Sequence, residues 1–181
     1  MGGGEIVFRL IDRYICALLC LLLILPYPLG CGAHSDPTDV VRAMWEGERA
    51  LGEGRIYSLS AQKGSESYLS DEMLLSLYGF DRGLSGLSGG ALCLSPFYYP
   101  FELAVFECES TLCAEDIALA FKNRLHLLDE NAALAAPFCD MTVEEYRAYI
   151  NDALVLISGR YVALIISSDV PNVKRIFLRA T

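Results

Sequence analysis

Three sets of residues in this sequence have the types and spacing that chemistry asks for. Gly86-Leu87-Ser88-Gly89-Gly90 matches G-x-S-x-G, the turn that lifts a nucleophilic serine above a parallel sheet beside backbone oxyanion donors. That turn works only between a strand and a helix, and the segment after Gly90 reads as strand. The glycines therefore read as a flexible turn entering a strand, and Ser88 as the nucleophile of an alternative, hydrolytic reading. Cys108, Cys113, Cys139 and His126 have the ligand types of a three-cysteine, one-histidine zinc site. Zinc ligands usually come in close pairs; Cys139 and His126 stand alone, so no metal and no other cofactor is expected. Cys108 and Cys113 are the candidate disulfide, joining a strand end to a helix start, with buried idle thiols as the default. Cys113 also has the helix-start position of an activated thiolate, but Glu115 and Asp116 beside it oppose ionisation. His34 and His126 are both poor candidates for its base. Glu107 and Glu109 alternate along one strand and, with Glu115 and Asp116, read as a solvated strand and helix end. No catalytic residue is assigned.

A fourth feature suits recognition better than reaction. Pro96-Phe97-Tyr98-Tyr99-Pro100-Phe101 connects two apolar runs, Leu87–Leu94 and Glu102–Cys108. Connecting loops are normally polar, so four aromatic side chains here conflict with their setting. One reading folds the loop back over the core. The functional reading makes Phe97, Tyr98, Tyr99 and Phe101 a contact surface for another envelope protein or for the membrane interface, where tyrosine is favoured.

The elements that position these residues follow from periodicity and punctuation. Asp36-Pro37-Thr38-Asp39 is a helix start, with cap, proline and acid in place, and Val40, Val41, Met44 and Trp45 repeat at helical spacing behind it. Arg55 to Ser60 reads as a short strand. Ser70 caps a second helix that stops at Gly79. The two runs around the aromatic loop make a hairpin whose prolines end pairing. A long helix over 112–135 follows, with Ile117, Phe121, Leu125 and Leu128 as its buried stripe. Thr142-Val143-Glu144-Glu145 is a capping box, and Met141 with Tyr146 supplies the hydrophobic staple. Ala153–Ile157 and Tyr161–Ser167 form a second hairpin around Ser158-Gly159-Arg160. Asp169 and Pro171 open a last helix, with Val173, Ile176 and Phe177 inward. The expected fold is α+β: a mostly antiparallel sheet of four or five strands built from two hairpins, with helices packed mainly on one face.

The chain has 181 residues, about one domain's length, and is 54% hydrophobic, enough to bury a core. Arg9 and Arg13 are matched by Glu5 and Asp12, so the whole net charge of −9 belongs to residues 32–181. Such a domain repels phosphate backbones, and no nucleic-acid partner is expected. Arg9 and Arg13 precede an apolar run from Tyr14 to Leu25, which is then closed by Pro26 and Pro28. A basic start, about a dozen apolar residues and a small residue before Cys31 describe a secretory leader, and the run is short for a membrane span. Leu29-Gly30-Cys31 resembles the end of a lipobox, which makes Cys31 the lipidation candidate; Pro28 departs from that pattern. An uncleaved signal anchor is the alternative. Residues 1–31 are thus read as leader and 32–181 as one domain, tethered to the membrane and facing outward. Exported location permits disulfides among the cysteines of that domain without requiring them.

Three segments carry a family resemblance. Leu77-Tyr78-Gly79-Phe80-Asp81, Glu102-Leu103-Ala104-Val105-Phe106-Glu107, and Gly159-Arg160-Tyr161-Val162 running to Ile165-Ile166-Ser167-Ser168-Asp169 resemble the signatures of domain-of-unknown-function family 4358. That family consists largely of small exported lipoproteins of Gram-positive anaerobic bacteria, and it brings no catalytic residue with it. The four domain cysteines and the aromatic loop depart from its usual pattern. The reading is therefore a lipid-anchored, non-catalytic accessory or binding module of the cell envelope. The alternative is a small envelope hydrolase using a Ser or Cys nucleophile.

Overall fold

A strand enclosed on both faces needs apolar side chains pointing both ways, and Glu102–Cys108 supplies them between its two glutamates. The structure is a computed structural model describing residues 34–48, 54–80, 86–95 and 100–181. In it this segment, β3, is the middle strand of five and is buried along its whole length. β1 (Arg55–Ser58) pairs with β2 (Leu87–Leu94), and β2 with β3. On the other side β3 pairs with β5 (Tyr161–Ile166), and β5 with β4 (Leu154–Ser158). Every pairing is antiparallel, in the order β1-β2-β3-β5-β4. Both hairpins have the expected partners, and Gly159 turns the second at φ 55°. The fold is α+β.

Among the described residues six α-helices cover this sheet. α1 (Pro37–Gly47) and α6 (Val170–Ala180) pack on Leu103, Val105, Ala163 and Ile165. α2 (Asp71–Tyr78), α3 (Thr111–Glu130), α4 (Ala132–Ala135) and α5 (Val143–Asp152) cover Ala104, Phe106, Val162, Leu164 and Ile166 opposite. Most helices do lie on one face, but the second face is roofed as well. The sequence shows why: Tyr161–Ile166 has no polar alternation, and all six of its residues are buried. Tyr78, Phe80, Phe106 and Phe121 form an aromatic cluster with ring centroids 5.1–5.8 Å apart. Each such side chain contributes about 1.5–3 kcal/mol by leaving water.

The caps read from sequence are in place. Asp36, Ser70 and Thr142 accept hydrogen bonds from the first turns of α1, α2 and α5, and Gly79 ends α2 at φ 75°. The long helix stops earlier than its expected end at 135. Asn131 turns its Nδ2 back to the carbonyl of Leu127 (2.7 Å), and the chain restarts as α4 and then as a 3-10 turn, Ala136–Cys139, around Pro137. His34–Thr181 forms one compact unit. Among the described residues no helix is long and apolar enough to cross a membrane.

Candidate functional site

Glu102 is the first residue of β3, and its side chain falls on the α3 face, where it is 3% exposed. A buried carboxylate persists only if its oxygens are satisfied. Oε1 accepts from the Tyr78 hydroxyl at 2.7 Å, and Oε2 accepts from Nε and Nη2 of Arg124 at 3.3 and 3.2 Å. Burial, and then the charge of Glu102, push the Tyr78 phenol well above its ordinary value. The third guanidinium nitrogen, Nη1, is not part of this pairing.

Above this triplet opens a cleft of about 400 Å³, within the usual range for ligand sites. Leu94, Phe101, Leu128 and Ile166 make its apolar walls, while Glu102 and Arg124 are its charged groups. Tyr146 also lines it, its phenol pushed up by burial first and by Cys139 second. At the rim Leu134 and Phe138 are 72% and 73% exposed. Ser95 and Pro100, which flank residues 96–99, line it too.

The other end of β3 holds a second, smaller site. Glu107 is five residues from Glu102, an odd spacing, so its side chain lies on the opposite face of the sheet. It is 3% exposed, which corrects its reading as a solvated carboxylate. Oε1 lies 2.8 Å from Arg160 Nε and 2.9 Å from His34 Nδ1, close enough for ion pairing although neither contact has hydrogen-bond geometry. The Tyr161 hydroxyl accepts from the Ser35 N–H (3.1 Å), donates to the Ser35 carbonyl (2.9 Å) and sits 3.3 Å from His34 Nδ1. Burial, then Glu107, raise the Tyr161 phenol. A pocket of about 180 Å³ here is lined by His34, Asp36, Ser58, Ser60, Ser88 and Glu107. Ser88 sits where the β2–β3 register shifts, and its Oγ donates to the Glu107 carbonyl at 3.1 Å.

A third buried carboxylate ties elements together. Glu48, just past α1, accepts from the hydroxyls of Ser167 and Ser168 and lies at the start of α6, whose positive end suits an anion.

The structure distributes the sequence-derived candidates unevenly. Cys31, Phe97, Tyr98 and Tyr99 lie outside the described residues, as does the leader. Phe101 is 3% exposed and packs with the α1–α6 layer, so it is a core residue that edges the cleft and not an exposed contact. Cys93, Cys108, Cys113 and Cys139 are not joined in disulfides. Cys93 lies in the α1–α6 layer, where burial pushes its thiol up to about 12. Cys108 and Cys113 lie in the other layer; burial first, and the neighbouring Cys113 thiol second, push the Cys108 thiol far up. His126 is exposed beside Glu130 at 3.2 Å, and among the described residues no three metal-ligating side chains come together. Sequence reasoning missed both carboxylate clusters. Their one signal was a glutamate at each end of an otherwise apolar strand.

Comparison with family models, with curated proteins and with solved structures returns no match for this chain.

Proposed function

We propose that this chain is a membrane-tethered, outward-facing accessory or binding module of the bacterial cell envelope, and that it takes its ligand in the cleft above Glu102 and Arg124. The observation that carries the binding reading is the cleft itself. It is an apolar cavity of ligand size, with a fixed ion pair at its base and two exposed apolar side chains at its rim. A rigid charged base orients a ligand, and apolar walls supply affinity. Tethering rests on the leader pattern ending at Cys31 and on the resemblance to the family 4358 lipoproteins. The described chain begins at His34 beside Glu107, at the opposite end of β3 from the cleft.

Each half of the reading has its own test. The mass of the mature protein made in a Gram-positive host should start at Cys31 and carry a diacylglyceryl group; a mass retaining residues 1–30 would end the lipoprotein reading. For the cleft, a small apolar fragment library screened by NMR should shift resonances of Leu128, Leu134, Phe138 and Tyr146. Hits that all map elsewhere, or that survive Phe138→Asp unchanged, would refute this placement of the site.

One observation favours a second reading, the small hydrolase. The fold gathers Ser88, His34 and Glu107 at one pocket, with His34 Nδ1 turned to the carboxylate. A proton on Nδ1 would leave Nε2 as the acceptor that a serine hydrolase's base requires. The Ser88 hydroxyl would have to turn from the Glu107 carbonyl to reach it. A fluorophosphonate probe decides the matter: labelling of Ser88 that disappears in His34→Ala supports the hydrolase, and no labelling removes it.

A further inference from the structure

The pocket beside Glu107 is open because β2 carries a glycine there. A Cβ at Gly89 would stand 3.3 Å from Glu107 Oε2 and 3.3 Å from Cγ of Pro37, filling the space between them. Gly89 is not among the glycines with positive φ, so the backbone does not call for it. What a side chain would remove is the open volume. Glu107 itself is 3% exposed, and its two close nitrogen neighbours both lie on Oε1: Arg160 Nε at 2.8 Å and His34 Nδ1 at 2.9 Å. Oε1 has no partner in hydrogen-bond geometry, and Oε2 faces the space over Gly89. A carboxylate taken out of water needs donors.

The hydroxyls around the pocket supply none. Ser58, Ser60 and Thr38 form a ring in which Ser58 Oγ lies 2.8 Å from each of the other two, and those two are 3.4 Å apart. Three protons close three contacts, so the ring has no O–H left over. Ser58 Oγ also accepts from the Ser60 N–H at 3.1 Å, whereas Ser60 Oγ keeps a lone pair. The Ser88 proton goes to the Glu107 carbonyl at 3.1 Å. The pocket therefore presents acceptors, Ser60 Oγ and Ser88 Oγ, around a buried anion.

We propose that this pocket is a binding site for a small primary amine in its ammonium form. Three N–H donors match Ser60 Oγ, Ser88 Oγ and Glu107 Oε2, and the positive charge meets the carboxylate oxygen that Arg160 and His34 do not use. At about 180 Å³ the pocket is smaller than a drug-sized site, which restricts it to a short amine. The assignment depends neither on the cleft above Glu102 nor on Ser88 acting as a nucleophile.

The test is an NMR titration of the isotope-labelled full chain with ethylammonium chloride at fixed ionic strength. Tetramethylammonium, which has charge but no donor, and potassium and magnesium chlorides are run beside it. The amides of Ser60, Gly89 and Gly90 should shift and saturate with ethylammonium at a Kd on the order of millimolar, the affinity so small a ligand allows. With the other three salts they should not saturate. Gly89→Ala fills the space, and Glu107→Gln keeps the shape without the charge; each should weaken binding by about tenfold or more, with urea midpoints confirming that both variants fold. Absence of a saturable shift in the wild-type chain overturns the proposal whatever the variants do. So does an equal response to potassium, magnesium or tetramethylammonium, or binding unchanged in folded Gly89→Ala. A chain that binds ethylammonium but takes no fragment in the cleft keeps this site and loses the other; the reverse result does the opposite.

Discussion

Replacing Arg124 by Met tests whether the base of the cleft is an interdependent polar unit. Glu102 is 3% exposed and keeps only the Tyr78 hydroxyl, a neutral donor, once the guanidinium is gone. Removing one partner of a buried ion pair costs about 3–5 kcal/mol, because the remaining charge is stranded. Arg124 retains 22% exposure, so solvent already weakens the pairing, and we expect a loss of about 2–3 kcal/mol. For a domain of this size that lowers Tm by about 5–10 °C. Urea titration gives the free energy directly. The decisive measurement is the double variant Glu102→Gln with Arg124→Met, which removes the stranded charge and should recover at least about 1 kcal/mol relative to Arg124→Met alone. A single variant within about 0.5 kcal/mol of wild type, or strictly additive effects, would refute the view that these groups depend on one another.

Three further outcomes follow from packing and titration. A Cβ at Gly90 would sit 2.3 Å from Cδ1 of Phe106, so Gly90→Ala should cost about 1–3 kcal/mol by urea titration; a neutral result would mean that the aromatic cluster yields easily. Stability should fall on the alkaline side. The Cys93 thiol ionises near about 8.5 in an unfolded chain and at about 12 in the fold. The neutral form is thus favoured by folding, and its contribution is whole below about pH 8.5 and lost as pH climbs toward 12. Tyr78, raised for the same reason, extends that loss at higher pH. Urea midpoints that stay flat between pH 8 and 11 would contradict this sign, and Cys93→Ala should flatten the lower part of the slope. Finally, Leu134→Asp with Phe138→Asp should change stability by no more than about 0.5 kcal/mol, since both side chains are exposed, while abolishing fragment binding in the cleft.

The elements were legible because they are written locally. The bounds of β2 and β3 coincide with the apolar runs between glycine and proline punctuation, and Ser70, Gly79 and Thr142 cap the helices they were assigned to. The break at Asn131 was missed because Ala132–Ala135 continues a strong helical composition, and only a side-chain bond to Leu127 interrupts it. The site was far less legible. Arg124 is 22 residues from Glu102, and His34 is 73 residues from Glu107, so no spacing rule connects them. A glutamate two residues from Glu109 looked like ordinary solvated alternation; that it is enclosed depends on α1 and α6 roofing that face, which no local pattern announces. Ser88 shows the opposite case: a motif is present in sequence, and its hydroxyl donates to the backbone in the fold.

The contacts between α1 and α6 bear on how the domain comes into being. Ser35 donates to the Ala180 carbonyl at 2.6 Å, Asn172 Nδ2 to the Gly47 carbonyl at 3.0 Å, and Glu48 holds Ser167 and Ser168. The roof over one face of the sheet is therefore assembled from the first and the last helix of the domain. As the chain emerges from N- to C-terminus, α1 waits for its partner until Val170–Ala180 arrives, and the central strand lacks β5 for nearly as long. Such long-range closure slows folding and makes it all-or-none. A chain cut before Val170 would leave Val105, Ala163 and Ile165 under half a roof, so the α1 side of the sheet stays open until α6 docks.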